Sequence, residues 1–163
     1  MKVSTTVATA AALMMAGSAS AQDGPQVDTM TGTLSDVKVV GGIGEKAMDY
    51  RSASWTETLS IKLSSGETIA VTQHCVGMGQ PEGSLFDRHV ACDGKSGDNS
   101  GSLILGCNIE TVGGTATGNE MSCMGFFQGK TGTVKNHAAL ETVYYRFTTE
   151  GSGTVQGTSH WIR

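Results

Sequence analysis

The side chains able to do chemistry in this sequence are the acidic, amide and phenolic groups that fall on apolar faces. Ser54 to Leu63 alternates strictly, with Trp55, Glu57, Leu59, Ile61 and Leu63 on one face and Ser54, Thr56, Thr58, Ser60 and Lys62 on the other. Such period-2 alternation predicts a strand with one buried face. Ser64-Ser65-Gly66 is a hairpin signal, and Glu67 to Val76 returns with Ile69, Val71, Gln73 and Cys75 in phase. Symmetric pairing about Ser65 sets Glu57 across from Gln73 and Trp55 across from Cys75. Arg88 shares its face with Phe86 and Val90, and Glu141 and Tyr145 share theirs with Phe147.

A buried charge must be paired or hydrogen-bonded, unless its strand end reaches water at a barrel mouth. If this face encloses a cavity, Glu57, Arg88 and Tyr145 are the candidate catalytic groups. Desolvation would raise the pKa of Glu57 and make it a general acid or base. Trp55, Gln73, Phe86, Phe127, Glu141 and Trp161 are the candidate ligand-binding groups. They form an apolar wall with a few polar atoms that orient a small molecule. The competing reading leaves the same polar groups at the mouth, solvated and without a role.

Other chemistry is poorly supported. Gly42-x-Gly44-x-x-Ala47 after a strand imitates a dinucleotide fingerprint but opens no sustained helix. Gly125 to Thr131 resembles a phosphate loop but has three residues between its glycines where four are needed. Asp93, Asp98 and Asn99 lack the spacing of a helix-loop-helix calcium site and read as a turn. His74 and His89 fall on the face opposite the cysteines, and no zinc-type histidine or paired-cysteine spacing exists. Neither a metal nor a cofactor is expected.

The elements that position these residues are set by Cys75, Cys92, Cys107 and Cys123, spaced 17, 15 and 16 residues apart. A turn-rich cluster lies near the middle of each interval. That is the layout of an antiparallel meander, with the cysteines expected at one level across four strands. Their parity defines a core face holding Phe86, Arg88, Val90, Leu103, Leu105, Ile109, Met121 and Phe127. Ile104, Met124 and Phe126 are apolar exceptions on the outer face. The meander allows Cys75–Cys92 with Cys107–Cys123, which would staple successive hairpins and is the favoured expectation, or Cys92–Cys107 with Cys75–Cys123. A Cys75–Cys123 bridge would span two intervening strands at about 4.8 Å each, beyond disulfide reach in a flat sheet.

Lys2, the apolar Val7 to Ala16 and the small residues Ala19-Ser20-Ala21 predict an export signal over residues 1–21, removed to leave 22–163 as one domain. The apolar run is shorter than the roughly 20 residues that span a bilayer. An even cysteine count in an exported chain indicates disulfides, in the periplasm or outside the cell. A formal charge of −4 without a basic stripe argues against nucleic-acid binding. Twenty-three glycines with two prolines suit many tight turns. Leu140 to Thr149 and Thr154 to Ile162 close the chain about Gly151, with Phe147 by Val155, Tyr145 by Gly157 and Glu141 by Trp161. The expected fold is all-β: a single antiparallel barrel of about eight strands, with a β-sandwich as the alternative.

Gly129-Lys130-Thr131-Gly132-Thr133-Val134, Leu140 to Phe147 and Gly151-Ser152-Gly153-Thr154-Val155 together resemble the closing strands of the allene oxide cyclase-like barrels, which include the dirigent proteins. The resemblance covers about a quarter of the chain. It implies an eight-stranded barrel around a hydrophobic cavity, in some members guiding cyclisation or coupling of an apolar substrate. It carries no catalytic residue onto a numbered position here, and the four cysteines depart from the plant pattern.

Three functions remain open at this level. The chain is an exported barrel enclosing a small, mostly apolar ligand. Alternatively it is a cofactor-free isomerase, cyclase or lyase working in the lumen. A third possibility is a protein-binding or inhibitor module of the cell envelope, acting through its loops.

Overall fold

The computed structural model describes residues 26–43, 50–112, 115–148 and 150–162. The export signal expected over residues 1–21 and the Gly44 to Ala47 loop lie outside them. Eight strands follow in chain order: β1 (Val27–Val40), β2 (Ser52–Lys62), β3 (Thr68–Gly79), β4 (Arg88–Ser96), β5 (Asn99–Val112), β6 (Thr115–Thr131), β7 (Ala138–Phe147) and β8 (Gly153–Ile162). A single 3-10 turn, Gly132–Val134, separates β6 from β7. Each strand pairs antiparallel with the next, and β1 pairs with β8 to close the barrel. The chain is therefore a barrel and not a sandwich.

Alternation does what the sequence predicts on β2 and β3. Trp55, Glu57, Leu59, Gln73 and Cys75 are buried, while Thr58, Ser60, Thr72 and His74 are exposed. Glu57 pairs with Gln73 and Trp55 with Cys75. Both disulfides form as expected, joining Cys75 to Cys92 and Cys107 to Cys123 directly across their strand pairs. Leu34, Leu59, Val90, Leu103, Leu105, Met121, Val143 and Val155 complete the core between them. Burying each such side chain is worth about 1.5–3 kcal/mol.

Two registers differ from the sequence reading. The β4–β5 hairpin turns at Gly97-Asp98, with Gly97 at φ +57°, and not at the midpoint of Cys92 and Cys107. Cys92 therefore lies beside Leu103, and Cys107 beside Arg88. The cysteines sit at two levels, not one. In the last hairpin Tyr145 pairs with Val155, Glu141 with Ser159 and Ala139 with Trp161, two residues from the expected pairing about Gly151. Both shifts are even, so every side chain keeps its face.

The outer wall is rich in threonine and serine, with Thr29, Thr31 and Thr33 on β1 and Thr58 and Ser60 on β2. The lumen is mostly apolar. That is the reverse of a transmembrane barrel, whose lipid-facing side is apolar and whose interior is polar. Among the described residues no helix is long and apolar enough to cross a membrane. The outer-face exceptions Ile104, Met124 and Phe126 are indeed exposed, together with Val76 and Met78.

Removing either bridge loosens a loop of 16 or 17 residues in the unfolded chain. The double variant Cys107→Ala/Cys123→Ala is expected to lose about 3 kcal/mol of unfolding free energy in urea titration while keeping its β-type far-UV spectrum. An unchanged midpoint would show that the bridges are not what holds the two hairpins in register.

Candidate functional site

The lumen divides into two regions. At its centre Trp55 packs edge-on against Tyr145, with ring centroids 5.8 Å apart, and against Phe147, at 5.6 Å. Tyr145 and Phe147 stack at 6.0 Å. Gly77 makes room for this cluster, since a Cβ there would lie 3.2 Å from the Trp55 ring. The three large rings occupy the barrel here.

Glu57 is sealed inside this packed region with no exposed surface. Its Oε1 accepts from Trp55 Nε1 at 2.6 Å, and its Oε2 accepts from Gln73 Nε2 at 2.6 Å. Burial pushes its pKa up, and the bonds from Trp55 and Gln73 pull against that rise. The Tyr145 hydroxyl faces the same carboxylate without a hydrogen bond of normal geometry, and burial raises its pKa well above the usual phenol value. Sγ of Cys75 touches Glu57 Oε1 at 3.2 Å. Glu57, Cys75 and Cys92 lie close enough together to suggest metal ligands, but both sulfurs are committed to their disulfide. Glu57 is thus a structural hub that ties β2 to β3.

Beyond Gln73, toward the β2–β3 and β4–β5 hairpins, the lumen opens into a cavity of about 100 Å³. Met30, Leu59, Ile61, Val71, Leu103 and Phe127 are among the apolar residues of its wall. Phe127 and Trp161 meet edge-on there at 5.8 Å. Gly94 and Gly101 contribute no side chain, and Gly101 lies directly beneath the Phe127 ring. The cavity reaches the surface at the rim, where exposed Lys95 joins its wall.

Its buried polar groups are Asp28, Gln73, Glu141 and Ser159, and Lys95, Ser96, Asn99 and Ser100 add polar groups to the wall. Asp28 is buried and fully engaged: Oδ1 accepts from the Ser64 backbone N–H at 2.8 Å, and Oδ2 from Trp161 Nε1 at 2.6 Å. Glu141 is only 5% exposed. Ser159 donates to its Oε1 at 2.7 Å, but its Oε2 is buried with no partner. Burial lifts the Glu141 pKa to about 7; the Ser159 bond opposes the rise and the negative charge of Asp28 adds to it. A carboxyl poised near neutrality, with one free oxygen in an apolar pocket, can anchor a donor or move a proton.

The candidates named from sequence separate accordingly. Gln73, Phe127, Glu141 and Trp161 line the cavity. Trp55, Tyr145 and Glu57 are buried behind it. Phe86 is not in the lumen: it precedes β4, lies over Gly106 on the outer wall and contacts the ring of exposed His89. Arg88 opens β4 beside Gly79 and Cys107, at the opposite end of the barrel. Its Nε is buried without a partner, and burial, with Arg51 nearby, lowers its pKa. Glu57 and Arg88 are therefore not brought together. Sequence reading missed Asp28 and Ser159. Asp28 is in phase with Met30 on β1, and the N–H of a half-buried Trp161 needs an acceptor; together these are the signal that could have found it.

The two raised carboxyls fix the sign of the pH dependence. Each binds its proton more tightly folded than unfolded, so stability is highest below about pH 4.5 to 5 on this account and falls as pH rises through the folded pKa. Glu141, moving from 4.5 to about 7, contributes a loss of about 3 kcal/mol between those values. Urea titrations at pH 5 and pH 8 should show the higher midpoint at pH 5, and Glu141→Gln should remove most of the difference. For Glu57→Gln, one oxygen that accepts from Trp55 or Gln73 becomes an amide donor. A loss of about 1–3 kcal/mol is expected at every pH.

No family model, no curated protein and no solved structure matches this chain, so the site stands on its own geometry.

Proposed function

We propose that this barrel binds a small, mostly apolar molecule in the cavity at its β2–β3 hairpin end, with the Glu141 carboxyl as polar anchor. The observation that carries the reading is the unpartnered Oε2 of Glu141, buried in the wall of a cavity whose surface is mostly apolar. An unpartnered buried oxygen costs about 1–3 kcal/mol, which a ligand donor would offset. The volume limits the occupant, because pockets for drug-sized ligands run to roughly 300–1,000 Å³. The resemblance of the closing strands to allene oxide cyclase-like barrels, with their apolar cavities, favours the same reading. The two disulfides suit an oxidising compartment, consistent with action in the periplasm or outside the cell.

A second reading is acid–base chemistry on the bound molecule. It is favoured by the same carboxyl, whose pKa of about 7 suits proton transfer at neutral pH. In this reading Glu141, and not Glu57, is the catalytic group.

Native mass spectrometry of the protein purified from its own compartment tests binding. A small adduct that leaves on denaturation is expected. Val71→Phe, which fills the pocket, should lack it. An adduct retained by that variant would place the ligand elsewhere. Should the bound molecule be converted, Glu141→Gln should slow turnover at least about 100-fold.

A further inference from the structure

The polar chemistry of the cavity is one-sided. Two buried carboxyls, Asp28 and Glu141, face it, and a third, Glu57, lies behind Gln73. The one basic side chain in its wall is Lys95, which is exposed at the rim. Asp28 is already satisfied by the Ser64 N–H and the Trp161 indole, whereas Glu141 Oε2 has no partner. Phe127 and Trp161 present aromatic surface to the same space. Acceptors and aromatic faces both favour a cation. A carboxylate ligand would instead enter beside two buried acids and find no cation inside.

We propose that the cavity selects small organic ammonium ions: a compact primary amine whose protonated head bonds to Glu141 Oε2 and whose alkyl body lies against Leu59, Val71 and Leu103. This rests on the reading of the cavity as a ligand site. The ammonium supplies both the missing hydrogen-bond donor and the positive charge that buried carboxylates require. The groups facing Glu141 are Ser159 on β8, Asp28 on β1 and Tyr145 on its own strand, with Lys95 at the rim; none is a buried cation.

The pH dependence follows from this pairing. Only ionised Glu141 takes an ammonium, and an alkylamine stays protonated from pH 6 to 8, so protons compete with the ligand. Affinity should be about tenfold weaker at pH 6 than at pH 8, given the Glu141 pKa of about 7. A neutral acceptor bound by the protonated carboxyl would show the opposite trend.

Calorimetry of the oxidised full-length protein with isobutylamine, isobutanol and isobutyrate is the test. The amine should bind at least about tenfold tighter than the alcohol, and isobutyrate should not bind. Glu141→Gln should abolish the preference for amine and its pH dependence. Should that variant not fold, Ser159→Ala serves instead: losing the Ser159 bond should move the midpoint of the pH dependence upward. Alcohol binding equal to amine binding, or a midpoint unmoved in Ser159→Ala, overturns the ammonium assignment but leaves the cavity as a ligand site. No saturable binding of any of the three overturns both.

Discussion

Closure of β1 onto β8 is the constraint on which the rest of the structure depends. Val27 to Leu34 pairs with His160 to Gly153, so the sheet has no free edge. Once the ring is closed, every side chain points into the lumen or out of it. An eight-stranded barrel is only just wide enough for its own side chains to fill. Space is therefore not free anywhere inside. It exists only where the sequence withholds bulk, as at Gly94 and Gly101, and it vanishes where Trp55, Tyr145 and Phe147 meet. The cavity follows from the unequal filling of a uniform tube.

That uniformity explains how much of the fold was legible in the sequence. Period-2 alternation depends only on parity, and the disulfides lock parity in place. Cys75 pairs with Cys92 and Cys107 with Cys123, which forces the residues two, four and six positions away onto the same face. The expected registers were wrong by four residues for β4–β5 and by two for β7–β8, yet no strand residue changed sides. An odd error would have turned the core outward. Phe86 shows the limit of the method. It has the correct parity, but it lies in the connection before β4, where strand parity no longer governs direction.

The polar interior was less legible, because partners depend on the register itself and not on its parity. Glu57 and Gln73 flank a short hairpin whose turn the sequence marks clearly, and their contact was foreseen. Glu141 meets Ser159 only because the last hairpin turns two residues from its apparent centre; the expected neighbour was Trp161. Asp28 pairs with Ser159 across the seam that joins the two ends of the chain. No local pattern announces such a contact. It arises from closure, and in the sequence it joins a residue near the start to residues near the end.

The two glutamates show how position decides the role of one functional group. Both sit on inward positions, both are almost wholly buried, and burial raises the pKa of each. Glu57 has a donor for each oxygen and a wall of packed rings around it. Its hydrogen-bonding capacity is used in joining β2 to β3, and nothing can approach it. Glu141 has a donor for one oxygen and none for the other, and it stands in the cavity wall. The first arrangement strengthens the fold, and the second leaves an interaction unmade. Because an unpaired buried carboxyl is costly, evolution toward stability alone would favour an apolar residue at position 141, as it would at any buried site whose polar group lacks partners. The cost is tolerable where something else completes the bond. On the proposed reading, the carboxyl that the fold leaves incomplete is the one that a bound molecule completes.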